Sequence, residues 1–149
     1  VEFFLILSAG NPNISGGMFW RLMIGTVAML AFGYLGESGN MNPWLGFCLG
    51  MAGWAFILFE VFFGEAGQAA AKADKMNPYI KSSYNTMRLI ITVGWCIYPL
   101  GYFFGYLLHQ WGDSPCNFTY NIADFVNKIA FCLAIWHAGR RDTLAGMNH

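Results

Sequence analysis

Four apolar runs, at residues 19–36, 43–64, 79–109 and 118–139, are each long enough to cross a lipid bilayer. A hydrocarbon core about 30 Å thick offers no water, so backbone N–H and C=O groups inside it must be satisfied within the protein. Runs of this length meet that demand as helices. The breaks between them carry turn chemistry: Glu37-Ser38-Gly39-Asn40, a polar Ala/Gly/Lys stretch around Lys72 to Pro78, and Gly112-Asp113-Ser114-Pro115. No internal repeat or low-complexity linker divides the chain, so residues 1–149 read as a single all-α transmembrane domain.

Composition supports this class. Charged residues make up 11% of the chain, against roughly 25% in a soluble domain, while hydrophobic residues reach 56%. The mean hydropathy is +0.43. The formal net charge is zero and no basic patch stands out, which argues against a nucleic-acid partner. Cys48, Cys96, Cys116 and Cys132 form no C-x-x-C pair, and three of them lie in apolar runs, where cysteine acts as a small hydrophobe. Neither a disulfide framework nor a metal site is expected.

Val1 to Ala9 reads as the end of a helix entering the breaker cluster Gly10-Asn11-Pro12-Asn13. Nine residues make only about 13 Å of helix. The expectation is a chain that starts within a spanning helix, with further segments before it, and with no signal peptide at Val1. If the spans alternate, Arg21, Lys72, Lys75, Lys81, Arg88, Arg140 and Arg141 fall on or near one side. The opposite loops hold Glu37 and Asp113 but no Lys or Arg. The positive-inside rule then makes the loop around Lys72–Lys81 and the C-terminus cytoplasmic.

Lys128 lies near the middle of the last apolar run, with Asp124 one helical turn before it. A lysine at mid-membrane depth is costly and calls for a chemical reason. The i, i+4 spacing places amine and carboxylate on one helix face, about 6 Å apart along the axis. Such a pair suits a lysine that forms a Schiff base and needs a negative partner once that base is protonated.

Other patterns point to a ligand pocket. Trp95, Tyr98, Pro99 and Tyr102 share a face of the third run at i, i+3, i+4 and i+7, and Pro99 should kink that helix. Aromatic stripes are more often core than cofactor box; the matching depth of Lys128 shifts the balance toward a flat conjugated ligand. Gly50 and Trp54, with Phe47 a turn earlier, share a face of the second run, and Met29 and Gly33 share one of the first. Those glycines suit a ligand wall or close helix packing equally well. Glu60 is expected to be interfacial and solvated, without a catalytic role. Glu2, among Phe3-Phe4-Leu5-Ile6-Leu7, is expected in low-dielectric surroundings, where a carboxyl group can hold a proton at neutral pH and release it on demand. A structural hydrogen bond in the bundle interior is the alternative.

The run Tyr120-Asn121-Ile122-Ala123-Asp124-Phe125-Val126-Asn127-Lys128 resembles the last helix of the proteorhodopsins, a branch of the microbial (type 1) rhodopsins. Gly94-Trp95-Cys96-Ile97-Tyr98-Pro99-Leu100-Gly101-Tyr102-Phe103 resembles their sixth helix. Val1-Glu2-Phe3-Phe4-Leu5-Ile6-Leu7 resembles the end of the third, and Phe32-Gly33-Tyr34-Leu35-Gly36-Glu37 the fourth. The resemblance covers essentially the whole chain. It implies a seven-transmembrane-helix rhodopsin bundle, of which this chain supplies the end of helix three and helices four to seven. Helices one and two, most of helix three and the primary proton acceptor would be absent.

The resemblance further implies all-trans retinal held covalently at Lys128 as a protonated Schiff base, with Asp124 as one counterion carboxylate. Trp95, Tyr98, Pro99 and Tyr102 would line the chromophore, Met29, Gly33, Gly50 and Trp54 would complete the walls, and Asn127 would tune the local field. Glu2 falls where proton-pumping members keep an internal donor, and Phe47 would close the window that some relatives use for a carotenoid antenna. The implied activity is light-driven outward proton transport, with helix movement at Pro99 as a gate. The implied setting is a bacterial inner membrane, as a homo-oligomer of five or six copies in lipid. A photosensor that signals to a partner without net ion transport is the alternative. A retinal-free transporter in which Asp124–Lys128 is only a structural ion pair is a further one.

Overall fold

The computed structural model describes residues 2–10, 13–73, 78–109 and 113–146, and all its regular structure is helical. Val1, Asn11, Pro12, Lys75 and Gly112 lie outside the described residues. The elements are α1 (Glu2–Gly10), α2 (Gly16–Glu37), α3 (Pro43–Phe62), α4 (Glu65–Ala73), α5 (Pro78–Val93), α6 (Ile97–Tyr102) and α7 (Asp113–Gly146). A 3₁₀ turn, Gly94–Cys96, joins α5 to α6, and a π turn, Phe103–Leu107, follows α6.

Among the described residues, three helical stretches are long and apolar enough to cross a membrane: Gly16–Glu37, Pro43–Lys72 and Pro78–Leu107. They cover the first three expected spans. The fourth, within α7, does not join them by that measure, although α7 is 34 residues long. Asn121, Asp124, Asn127 and Lys128 interrupt its apolar run. Large apolar side chains such as Trp20, Leu30, Tyr34, Phe59, Phe63 and Phe125 are exposed, as lipid-facing positions require.

Local chemistry sets the helix starts. Ser15 caps α2, its hydroxyl accepting from Met18 N–H, and Asn42 caps α3 by accepting from Trp44 and Leu45 N–H, with Pro43 in the first turn. Between them Gly39 takes a φ of +74°, which glycine adopts without steric cost. α2 and α3 make the most extensive helix pair. Glycine permits it: a Cβ on Gly46 would stand 2.8 Å from Gly36 Cα, and one on Gly53 would stand 2.8 Å from Met29 N. α1 packs against α4 and α5, and α5 against α7. The largest fully buried side chains among the described residues are Leu7, Met18, Val61, Tyr84, Met87 and Ile91.

Several expectations need correction. The polar stretch that begins the expected loop is helical as far as Ala73, because Ala66, Ala69 and Ala70 give α4 a buried face. Asp113, Ser114 and Pro115 do not separate elements; they open α7, where the first turn tolerates a proline. Glu60 is not solvated. It is 4% exposed, accepting from Arg21 Nε (3.0 Å) and Nη2 (3.1 Å) and from Ala66 N–H (3.3 Å). The fold-back of α4 after Gly64 is what covers it. Glu2 lies on the outer face of α1, which turns Phe3, Ile6 and Leu7 inward.

Candidate functional site

Tyr98, Asp124 and Lys128 meet where α6 lies beside α7. Lys128 Nζ donates to Asp124 Oδ2 across one helical turn, and Tyr98 Oη donates to Asp124 Oδ1 at 2.8 Å from the neighbouring helix. The carboxylate therefore has both oxygens engaged, one by a cation and one by a neutral donor. The Lys128 side chain is 74% exposed and that of Asp124 47%, so the described helices leave the amine unenclosed.

Below this cluster Tyr120 Oη lies 3.4 Å from Glu37 Oε1 and 3.2 Å from the Tyr98 carbonyl oxygen. Neither Tyr120 nor Glu37 figured among the expected site residues. The signal for Tyr120 was available, because Tyr120, Asp124 and Lys128 form an i, i+4, i+8 stripe on α7. Glu37 gave none; only the tertiary fold brings the end of α2 near Tyr120.

Pro99 has no N–H, so the Trp95 carbonyl lacks its usual helical donor and accepts from Ile97 N–H instead. The 3₁₀ turn marks that disturbance. Trp95 is half-buried and packs on the main core. Tyr102 is 5% exposed and donates to the Pro43 carbonyl at 2.9 Å, pinning the start of α3. Trp54 Nε1 donates to the Ile91 carbonyl at 3.0 Å.

The glycines separate into two kinds. A Cβ on Gly50 would meet Met29 O at 3.4 Å and Gly33 N at 3.7 Å, so Gly50 turns toward α2. A Cβ on Gly33 would meet nothing within 4 Å. The Phe47 ring packs on Tyr102 (5.5 Å between centroids) and Phe103 (6.2 Å), while Gly46 beside it is buried against α2. Asn127 is buried, its Nδ2 donating to the Gly94 carbonyl at 3.1 Å. Glu2 lies at the start of α1, remote in sequence from the cluster, and next to Phe3, whose ring packs edge-on against Tyr84 at 5.4 Å. Among the described residues, no group of three or more His, Cys, Asp or Glu side chains could hold a metal ion, and Cys48, Cys96 and Cys132 are free.

The family model for bacteriorhodopsin-like proteins matches residues 2–141. This chain belongs to that family. As a microbial rhodopsin it is similar to the green-light absorbing proteorhodopsin of Gamma-proteobacterium EBAC31A08, at 44% identity over 95% of this chain and 56% of the relative. The blue-light absorbing proteorhodopsin of Gamma-proteobacterium Hot 75m4 is 42% identical over 96% and 56%. Two solved structures share the fold. The blue light-absorbing proteorhodopsin from Med12 superposes with a TM-score of 0.73 at 36% identity, covering 94% of this chain and 59% of that one. Exiguobacterium sibiricum rhodopsin gives 0.78 at 28% identity, covering 96% and 66%. The rhodopsin chain thus spans about half the length of the curated relatives it matches, and its helices are those of part of a rhodopsin bundle.

Proposed function

We propose that this microbial rhodopsin acts as a light-driven outward proton pump. The observation that carries the reading is the Lys128–Asp124–Tyr98 cluster, a primary amine whose positive charge has a carboxylate already in place. The residues present fit a carbonyl-bearing polyene: the described helices leave the amine unenclosed, and the space at Gly33 would admit a flat ligand. All-trans retinal, joined covalently to the Lys128 nitrogen as a protonated Schiff base, would supply the light absorption and the change of shape.

This chain's own residues supply the rest. Asp124 holds the positive charge at the lysine nitrogen, and Tyr98 keeps that carboxylate oriented through Oδ1. Trp95, Tyr98, Pro99 and Tyr102 form one wall, Met29, Gly33 and Trp54 the other, with Gly50 closing α3 against α2 behind it, and Asn127 sets the dipole beside the lysine. Glu2 delivers a proton from the cytoplasmic side once water reaches α1. The interrupted winding from Gly94 to Leu107 gives that helix a place to move on the microsecond-to-millisecond scale of collective motions. The setting is a bacterial inner membrane, C-terminus cytoplasmic, in oligomers of five or six copies.

The test is illumination of cells given retinal and expressing a protein of the relatives' full length that contains this chain. The medium should acidify in the light, and Lys128→Ala should abolish both visible colour and acidification. A coloured protein that leaves the pH unchanged in the light would refute pumping and favour the sensory alternative.

A further inference from the structure

Asn127 is adjacent to Lys128 in sequence, yet lies about 100° round the helix from it and points into the α6–α7 contact. It is 9% exposed, and its amide donates to the carbonyl of Gly94, the first residue of the 3₁₀ turn. Glycine at position 94 is what allows this approach, because a Cβ there would collide with the Asn127 amide oxygen. α7 packs along α5 and α6 around this bond, and a groove of about 230 Å³ edged by Ile97, Ile122 and Val126 opens beside it.

We propose that Asn127 is a positioning residue. It couples the α7 backbone at Lys128 to the Gly94–Cys96 turn, and so sets the movement of the Trp95–Tyr98–Pro99 stretch when the lysine is displaced. The physical ground is leverage. A displacement at Lys128 moves the neighbouring α-carbon, and the side chain on that carbon holds the main chain at the one place where α5 and α6 are not joined by regular α-helical winding. The transmission rests on the proposed function; the tie itself does not.

Hydrogen exchange at the Trp95, Cys96 and Ile97 amides in the dark, together with the rate of the late photocycle return after a flash, tests it. Asn127→Ala removes the amide, and Asn127→Leu keeps its shape without a donor. Both should speed dark exchange by about three- to tenfold, the loss of one net hydrogen bond, and both should change the late return rate by a similar factor. Normal exchange in the leucine variant would mean that shape alone holds the turn, which overturns the proposal. Altered exchange with an unaltered return rate would overturn the transmission. If the parent protein takes up no retinal, the pumping function and the transmission fall together, while dark exchange still decides the tie.

Discussion

A single hydrogen atom decides what positions 33 and 46 do. Met29 and Gly33 look alike in spacing to Gly46 and Gly50, and spacing alone suits a ligand wall or a helix contact. In the folded chain the Gly46 α-hydrogens face α2 main chain, with Gly36 Cα at 2.8 Å and Phe32 O at 2.9 Å from where a Cβ would stand. Gly46→Ala should therefore cost about 1–3 kcal/mol, because backbone on both sides cannot yield, and should lower the unfolding midpoint followed by circular dichroism in detergent. Gly33→Ala meets nothing and should stay within about 0.5 kcal/mol of the parent in the same measurement. Its effect should appear in the absorption maximum of the retinal-bound protein, if Gly33 lines the pocket. The Asp124–Lys128 pair, by contrast, was legible from its i, i+4 spacing, since helix geometry alone brings the two groups together.

At the scale of the elements, helix existence followed from apolar run length, whereas the joints between helices did not. α4 was hidden because its buried face is alanine, which carries little hydropathy signal. Its return over α3 creates the clasp in which Arg21 serves both Glu60 and Glu65 (Nη2 to Oε2, 2.6 Å), while Ser15 Oγ donates to Glu65 at 2.7 Å. These partners lie 39 and 44 residues apart, beyond any local pattern. Arg21→Gln should destabilise the fold by about 2–3 kcal/mol, at the low end for a buried pair because the Arg21 side chain is 40% exposed. Arg21→Gln with Glu60→Gln should recover part of that loss, since a neutral buried amide is easier to satisfy than a stranded carboxylate. Chemical denaturation of the four members of this cycle measures the coupling.

For the whole molecule, direction matters most. The distribution of Arg and Lys predicts that an epitope in the Ser38–Asn40 turn is accessible from outside intact cells, and that one following Gly146 is accessible only after permeabilisation. On the proposed pumping function, Glu2→Gln should slow the late photocycle return by about a hundredfold, read by flash absorption, while leaving the early steps near the parent rate. The amino-acid sequence by itself determined the membrane class, the lysine and its acidic neighbour, and the disturbed helix at Pro99, because each is a consequence of composition or of spacing along one helix. Only the tertiary structure decided that Tyr98 shares Asp124, that Asn127 holds Gly94, that Glu60 is buried under α4, and which glycines touch backbone. Those facts depend on how separate helices cross, and a crossing is set by the summed fit of many side chains rather than by any residue's own preference.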